Sequence, residues 1–293
     1  MTVRSRYRYL LLFTVPALAF YVVFAVYPLV GTMLISLQNS VNDEIQFVGL
    51  ANYISLFTDP HLSGEFWNAL VNNFEYFAVH LIVQVPVALL MAALITSDAV
   101  GRLSGVYRTL LFIPTTLSVV IVGFIWRMII SPLWGIVDFP LLGNELTALP
   151  TLSLMSAWEW IGVPMIFLYT ALIAIPKDVI EASKVDGASG FRMFWQIKFP
   201  LISPQFGLIT ILTFIWSFNA FDIIYTLKGG APGPNLSTDV FGTLFFRTFF
   251  GWSTQTGDWH LGATVATAIF LIMLLGTAAY FWIVQRRLKP TEL

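Results

Sequence analysis

The sequence predicts an all-α membrane protein that crosses the bilayer six times, with both termini in the cytoplasm. Three observations support this prediction. The composition is 57% hydrophobic and only 11% charged, whereas water-soluble domains carry about 25% charged residues. Six apolar stretches reach the roughly 20 residues that a helix needs to cross a bilayer. Most of the Lys and Arg residues also fall on one side of a six-span arrangement.

The composition excludes several classes of function. A chain this poor in charge cannot cover the surface of a soluble enzyme, and a net charge of −1 leaves no basic patch for nucleic acid. The absence of Cys excludes disulfides, thiolate catalysis and Cys-ligated metal sites. We expect no metal site and no catalytic residue in this chain. The 26 Phe, 10 Trp and 10 Tyr suit a lipid-facing surface with aromatic anchors at the interfaces.

The six predicted spans follow the apolar stretches of the chain. They are Tyr9–Leu37, Phe66–Ile95, Tyr107–Ile130, Leu152–Ile175, Phe206–Leu227 and Leu261–Val284. The first span follows three Arg residues, but its apolar run is too long for a signal peptide, so we expect a retained helix. Pro28 lies within this span and is expected to kink or break the helix, because Pro removes a backbone hydrogen bond.

The orientation follows from the positions of the basic residues. Twelve of the fifteen Lys and Arg residues lie at the termini or in the loops after the second and fourth spans: Arg4, Arg6, Arg8, Arg102, Arg108, Lys177, Lys184, Arg192, Lys198, Arg286, Arg287 and Lys289. Basic loops remain on the cytoplasmic side. These segments are therefore predicted to be cytoplasmic, and an even number of spans agrees with this placement of both termini.

We predict a single membrane domain over residues 1–293, with one informative cytoplasmic loop at about residues 176–204. Pro176 suits the start of a helix and Gly187 suits a break, which predicts a short helix to about Asp186. A second short helix is expected at about 191–198. Pro200 and Pro204 are expected to end this helix and redirect the chain. Such a helix–turn–helix could lie on the membrane surface through its aromatic residues or dock on a partner.

Within this loop, three groups of residues stand at a long and specific spacing. They are Glu181-Ala182-Ser183, then Asp186-Gly187-Ala188, then Ile197 and Pro200. This pattern resembles the EAA loop of ATP-binding-cassette importer permeases. The resemblance implies that the loop, with Phe191 and Phe194 on its apolar face, docks into a cytoplasmic ATPase and transmits its opening and closing. Ser183 and Phe199 are mild departures, since Ala and Leu are usual there.

The resemblance to sugar-type permeases extends along most of the chain. It includes Tyr27-Pro28, Ser36-Leu37, Gly49-Leu50-Ala51-Asn52-Tyr53, Phe66-Trp67-Asn68-Ala69, Asn72, Trp126-Arg127, Gly135, Phe221-Asp222 and Gly229-Gly230. It implies a type I importer permease fold, and a permease subunit of a carbohydrate uptake system in a prokaryotic cytoplasmic membrane. The implied partners, besides membrane lipid, are a second permease subunit, two ATPase subunits and an extracytoplasmic solute-binding protein.

No cofactor and no enzymatic activity are expected in the chain itself. It has no Gly-x-x-x-x-Gly-Lys-Ser/Thr phosphate loop. ATP and Mg would therefore be used by the partner ATPase.

The fifth span carries the first group of candidate solute-binding residues. Asn219 and Asp222 are three residues apart and would share a helix face, surrounded by Phe218, Phe221 and Tyr225. In permeases that this chain resembles, this span lines the substrate cavity. Asp222 could instead act as a gate or form an ion pair with Lys228.

Glu159 in the fourth span is a second candidate, because it lies between Trp158 and Trp160. A carboxylate accepts hydrogen bonds from sugar hydroxyls, and an indole ring covers the apolar face of a sugar. The alternative is that both Trp residues only anchor the helix at the membrane interface.

Polar residues within the second span allow two interpretations. His80 and Gln84 are four residues apart and share a helix face, while Glu75 is offset from them. They could form a polar stripe along a permeation path, or they could make hydrogen bonds between helices.

Two other classes of function share some of these residues. Gly187-Ala188-Ser189-Gly190 resembles the Gly-x-Ser-Gly motif of rhomboid proteases, but no His is expected near Ser189, and a serine nucleophile needs a base. An ion-coupled secondary transporter could use Glu75, Glu159 and Asp222, yet that class does not account for the loop pattern.

Overall fold

The computed structural model describes residues 3–41, 44–97, 100–133, 135–229, 231–253 and 255–285. Four residues used above, Gly230, Arg286, Arg287 and Lys289, lie outside these ranges. The α-helices are α1 (Val3–Tyr21), α2 (Tyr27–Ser36), α3 (Ala51–Thr58), α4 (Pro60–Val79), α5 (Val85–Ile95), α6 (Ser104–Phe112), α7 (Val119–Ile129), α8 (Glu145–Glu159), α9 (Gly162–Ile173), α10 (Lys177–Val185), α11 (Gly190–Met193), α12 (Phe199–Phe218), α13 (Asp222–Lys228), α14 (Phe241–Phe250) and α15 (Trp259–Tyr280).

Short helical turns and two hairpins complete the described structure. π-helical turns lie at Val22–Val26, His80–Gln84, Phe194–Lys198 and Phe281–Gln285, and 3₁₀ turns lie at Gly101–Leu103, Ile113–Thr116, Leu141–Gly143 and Pro234–Leu236. The antiparallel hairpins pair β1 (Gln38–Val41) with β2 (Glu44–Phe47), and β3 (Gly251–Trp252) with β4 (Gln255–Thr256).

Four helical segments within the described ranges are long and apolar enough to cross a membrane. They are Leu11–Ser36, Pro60–Ile95, Gly190–Lys228 and Trp259–Val284. Two bent pairs qualify as well: Gly101–Thr116 with Val119–Ile129, bent by 95°, and Glu145–Glu159 with Gly162–Ile173, bent by 49°. With each pair counted as one span, every predicted span overlaps one of the six segments, so the predicted all-α, six-span fold class is confirmed.

The chain forms two compact units. The first comprises Met1–Gly64 and Phe245–Leu271, and the second comprises Glu65–Leu244 and Ile272–Leu293. In the first unit, the buried Asn52 donates to the carbonyl oxygens of Ser36 at 2.9 Å and of Gln38 at 2.8 Å, which ties α3 to the end of α2.

In the second unit, small and branched residues pack α5 against α9 and the start of α12. The fully buried members of this cluster include Val85, Ala88, Met165, Leu168 and Ile202. The small side chain of Ala88 lets neighbouring helices approach closely, which is typical of membrane helix packing.

The prediction that Pro200 and Pro204 end the second helix of the loop is wrong. The chain continues helically from α11 through the π turn Phe194–Lys198 into α12. In the π turn the N–H of Phe199 donates to the carbonyl of Phe194, five residues earlier instead of four. The wider turn accommodates the Pro that follows, because Pro cannot make the usual bond.

Pro204 lies inside α12 and has a different compensation. It offers no N–H to the carbonyl of Pro200, four residues earlier. The hydroxyl of Ser203 donates to that carbonyl at 2.8 Å. A neighbouring side chain therefore replaces the missing backbone bond, and the helix continues.

Candidate functional site

A cavity of about 240 Å³ opens within the second unit. Residues from α4, α7, α8, α12, α13 and the π turn after α4 surround it. Its lining residues are Tyr76, His80, Gln84, Val119, Ser156, Glu159, Trp160, Thr213, Trp216, Ser217, Asn219, Ala220, Phe221, Asp222 and Ile223. Two carboxyl groups, two amides, an imidazole and several aromatic rings thus meet around one small space.

Side chains of the second and fourth spans form one polar wall of the cavity. The Nδ1 of His80 lies 2.8 Å from the carbonyl oxygen of Tyr76, and its Nε2 lies 3.4 Å from the Ser156 hydroxyl. Gln84 donates to the carbonyl of Ala157 at 3.3 Å. The interpretation that His80 and Gln84 make bonds between helices is confirmed, and both residues also line the cavity. Their role in a permeation path stays a prediction. Glu75 is exposed and does not line the cavity.

Glu159 is the last residue of α8 and is only 1% exposed. Its Oε2 atom is buried and has no hydrogen-bond partner within the described structure. A buried carboxylate oxygen without a donor is energetically unfavourable. The geometry therefore provides an acceptor at the edge of the cavity that a hydroxyl of a bound molecule could satisfy.

Asn219 and Asp222 both line the cavity, although no continuous helix face joins them. Asn219 is the C-cap of α12, and its side-chain amide donates to the carbonyl of Ile215 at 2.8 Å, which fixes the side chain. The chain leaves the helix at Ala220 and Phe221, and Asp222 begins α13. The break turns both polar side chains to the same space.

The aromatic residues predicted to contact solute coincide only partly with the cavity lining. Trp158 packs against Trp126 with ring centroids 5.6 Å apart and does not line the cavity, whereas Trp160 does. The helix ends at Glu159, so Trp160 lies in the bend before α9. Phe218 is buried against Phe214 and other rings, away from the lining.

Tyr225 also falls outside the cavity lining. Its ring stacks on Phe221 at a centroid distance of 4.9 Å, and Phe221 itself lines the cavity. Tyr225 therefore supports a lining residue instead of contacting the space directly.

Sequence reasoning missed Tyr76, Ser156, Thr213, Trp216 and Ser217. A signal was present for two of them, since Trp216 precedes Asn219 by three residues and Thr213 precedes Trp216 by three, a spacing that makes each pair neighbours on a helix. Tyr76 and Ser156 gave no signal, because a Tyr or Ser in an apolar span is equally typical of helix packing.

The short helix predicted for the loop at about residues 176–204 is confirmed as α10, which ends at Val185 with Asp186 as its C-cap. Gly187 follows with a φ of +78°, and the N–H of Ala188 donates to the carbonyl of Ser183 at 2.9 Å. An αL residue after the last helical turn is the usual device that closes a helix. Glycine is favoured there because a β-carbon strains this conformation.

The loop presents an exposed surface beside residues that pack inward. Glu181, Ala182, Asp186 and Gly187 are exposed, and two apolar side chains are strongly exposed: Val185 at 89% and Phe191 at 79%. Sequence reasoning missed Val185.

Other residues of the pattern face the protein itself. Ser183 is buried, and its hydroxyl donates to the carbonyl of Ile180 at 2.7 Å. Phe194 packs against the cluster formed by α5, α9 and α12. Ala188 and Ile197 are half-buried, while Pro200 is exposed.

Comparisons with known proteins place this architecture in a family. Residues 84–289 match the family described as binding-protein-dependent transport system inner membrane component. The arabinooligosaccharides transport system permease protein AraP of Bacillus subtilis is 28% identical over 90% of this chain and 84% of its own length. The sn-glycerol-3-phosphate transport system permease protein UgpA of Agrobacterium fabrum is 31% identical, with 82% of each chain covered.

A solved structure supports the fold independently of sequence. A chain of a bacterial alginate ABC transporter, in complex with an alginate pentasaccharide-bound periplasmic protein, matches with a TM-score of 0.80. The match covers 97% of this chain and 96% of that chain at 18% identity, and therefore concerns the fold alone. The family match covers more than half of the sequence. The chain therefore belongs to this family and is a multi-pass plasma-membrane permease of a binding-protein-dependent transport system.

Proposed function

We propose that this chain imports a sugar or a related polyhydroxylated solute, and that the cavity is where the solute binds. The observation that carries the proposal is the lining of one cavity by Glu159, Asn219 and Asp222 together with indole rings. Carboxylates and amides exchange hydrogen bonds with hydroxyl groups, and aromatic faces cover the C–H faces of sugar rings. The named relatives support the proposal, because arabinooligosaccharides and glycerol phosphate are both polyhydroxylated.

We propose that transport is driven by ATP and Mg in separate ATPase subunits. This chain has no phosphate loop of the Gly-x-x-x-x-Gly-Lys-Ser/Thr type. The complete assembly would hold a second, different permease subunit, two ATPase subunits and an extracytoplasmic solute-binding protein. The chain itself would then catalyse no reaction.

The exposed surface of residues 181–191 is our candidate for ATPase docking. Val185 and Phe191 offer apolar area to a cleft on the ATPase, and Glu181 offers a carboxylate at the edge of that area. Docking of the binding protein outside would favour a closed ATPase pair inside, which opens the cavity outward. Such coupling requires that each partner bind the two conformations with different affinity.

The solute site is tested by a matched pair of Trp variants in the complete transporter. Trp216 lines the cavity, whereas Trp158 is similarly exposed and packs against Trp126 outside it. We expect Trp216→Ala to raise the KM for sugar uptake about fivefold, because a ring contact of this kind contributes about 1 kcal/mol. Trp158→Ala should leave the KM within about twofold. An equal effect of the two variants would remove the cavity from the solute path.

The assembly is tested by isolating the chain from mildly solubilised native membranes and identifying its companions by mass. We expect an ATPase, a second six-span permease and a solute-binding protein. Recovery of the chain alone, with uptake driven by an ion gradient in ATP-free vesicles, would instead support a secondary transporter.

A further inference from the structure

The carboxyl groups around the cavity have no Lys or Arg beside them in its described lining. Glu159 and Asp222 both line it, and none of the described lining residues is a Lys or an Arg. The hydrogen bonds of His80 do not require a positively charged imidazole. Its Nδ1 faces a carbonyl oxygen, and its Nε2 faces a hydroxyl that can donate to it. The lining therefore contains carboxylates without a fixed cation beside them.

The basic residues of the neighbouring helices are engaged or placed elsewhere. Lys228, at the end of α13, donates to the carbonyl of Leu142 at 2.8 Å. Arg108 lies over the ring of Tyr169 with its guanidinium carbon 4.6 Å from the ring centroid. Neither side chain lines the cavity, and neither does Arg127, which is exposed in the last turn of α7.

A buried carboxylate oxygen of the lining also lacks a hydrogen-bond donor. The buried Oε2 of Glu159 accepts no hydrogen bond within the described structure. A hydroxyl group supplies such a donor, whereas a phosphate or carboxylate group on a solute supplies only acceptors and repels the carboxylates. Asp222 is exposed, so solvent screens part of its repulsion, whereas Glu159 is buried. Together the two carboxyl groups disfavour an anionic solute.

From this distribution we propose that the cavity accepts uncharged polyhydroxylated solutes and excludes phosphorylated and carboxylated sugars. This inference rests on the proposed function, because it assigns a substrate class to the same cavity. Membership of the family leaves the charge of the solute open. The lining supplies the selection: Glu159 and Asp222 set its sign, and the rings of Trp160 and Trp216 bind an uncharged C–H surface.

The sign of the charge can be measured without knowing the solute, because the chain contains no Cys. Val119→Cys places a thiol on the cavity lining with little change of volume. In the complete transporter, the rates of labelling by a cationic trimethylammonium and an anionic sulfonate methanethiosulfonate are compared. The ratio of the cationic to the anionic labelling rate is divided by the same ratio measured for free mercaptoethanol. Labelling is detected from the mass of this chain.

We expect the cationic reagent to be favoured about tenfold over the free-thiol ratio, since a cleft lined by one sign of charge concentrates the opposite sign. The same Cys in a Glu159→Gln, Asp222→Asn background is the matched control and should return to the free-thiol ratio. A ratio at or below that of the free thiol in the unaltered lining would overturn the proposal.

Protection of the same Cys then tests the solute class. Glucose, galactose and glycerol are compared with glucuronate, galacturonate and glycerol phosphate. We expect at least one uncharged member to slow labelling and its anionic counterpart to have no effect. Equal protection by an anionic counterpart would overturn this inference and leave the proposed function intact. If no sugar protects while the charge ratio is as expected, the solute site itself is wrong, and both proposals fail.

Discussion

At the scale of single residues, Asn73 on α4 connects two segments that are distant in sequence. Its side chain donates to the carbonyl of Ser217 and accepts from the N–H of Phe241, both at 2.8 Å. Asn73 is 0% exposed. Because Ser217 lines the cavity, this amide holds one part of the cavity wall in place.

We expect Asn73→Leu to destabilise the protein. The Leu side chain would leave the buried N–H of Phe241 unsatisfied, and such a group costs about 1–3 kcal/mol. It would also remove one of two hydrogen bonds to the carbonyl of Ser217, which keeps the bond from the N–H of Ala220 at 3.3 Å. Thermal unfolding of the purified complex would show a lowered Tm, and sugar uptake would fall as the wall around Ser217 shifts.

Asn68→Ala is the matched control on the same helix. Asn68 donates a single bond to the carbonyl of Leu236 at 2.8 Å, and Asn72 donates to the same carbonyl at 2.9 Å. Its removal leaves that carbonyl satisfied, so the Tm should change little. A loss of stability in Asn68→Ala as large as that in Asn73→Leu would contradict this account.

The polar residues of the cavity lining were identified from the sequence more reliably than the aromatic residues. A carboxylate or amide in an apolar span demands a polar environment, so Glu159, Asn219 and Asp222 stood out and do line the cavity. An aromatic ring is equally stable against lipid, against other rings or at a cavity. Because the helix bends after Glu159, Trp160 lines the cavity and Trp158 does not. No local sequence pattern predicts that bend. That these residues contact solute stays a prediction.

At the scale of elements, three π turns share one arrangement. Each of Val22–Val26, His80–Gln84 and Phe194–Lys198 is followed by one residue and then by Pro. The wide turn removes the demand for the N–H that Pro lacks. At Pro200 the sequence predicts a break, because the residue type indicates the missing hydrogen bond but not the π turn that compensates for it.

The turn between α10 and α11 leads to a prediction about Gly187. No atom outside the adjacent residues lies within 4 Å of a β-carbon placed there. Glycine is therefore required because of the φ of +78° and not because space is lacking. Gly187→Val should lower uptake and the stimulation of ATPase activity by the binding protein, because a β-branched residue strains this conformation by about 1–2 kcal/mol.

Gly187→Asn is the matched variant, since Asn tolerates the left-handed region better than other residues with a side chain. It should retain more uptake than Gly187→Val, with equal membrane insertion of both proteins. If both variants transport normally, the closed turn has no role in coupling.

The exposed apolar residues of the same segment give a second prediction. Phe191→Ser should weaken capture of the ATPase by this permease at least about tenfold, because burial of a Phe side chain on docking contributes about 1.5–3 kcal/mol. The Tm of the free permease should stay unchanged, since Phe191 is exposed. Phe194→Ser is the contrasting variant: Phe194 packs on the permease's own core, so it should lower the Tm instead. Unaltered capture of the ATPase by Phe191→Ser would exclude this surface from docking.

At the scale of the whole molecule, the number of spans was predictable because bilayer thickness fixes the length of a crossing helix. The bends of 95° and 49° within two of the spans were not predictable. They depend on packing between helices that are distant in sequence, and a hydropathy pattern carries no information about it.

The predicted orientation is tested by single Cys residues in this Cys-free chain. Val185→Cys and Leu146→Cys are suitable, because these side chains are strongly exposed and lie on predicted opposite sides. A membrane-impermeant thiol reagent added outside intact cells should label position 146 and not position 185, and inverted vesicles should reverse the result. Labelling of both positions from one side would contradict the assigned topology.

The 95° bend also has a consequence for water in the membrane. The bend contains Leu117 and Ser118 in extended conformation, and the first residue after it, Val119, lines the cavity. The first N–H groups of a helix have no acceptor within that helix. Backbone of this kind is tolerated at membrane depth only where protein or water meets it. We therefore expect the backbone amides at the start of α7 to exchange hydrogen with water quickly, while the other amides of the same span stay protected. The bend would then be a hydrated point among helices that lipid shields from water.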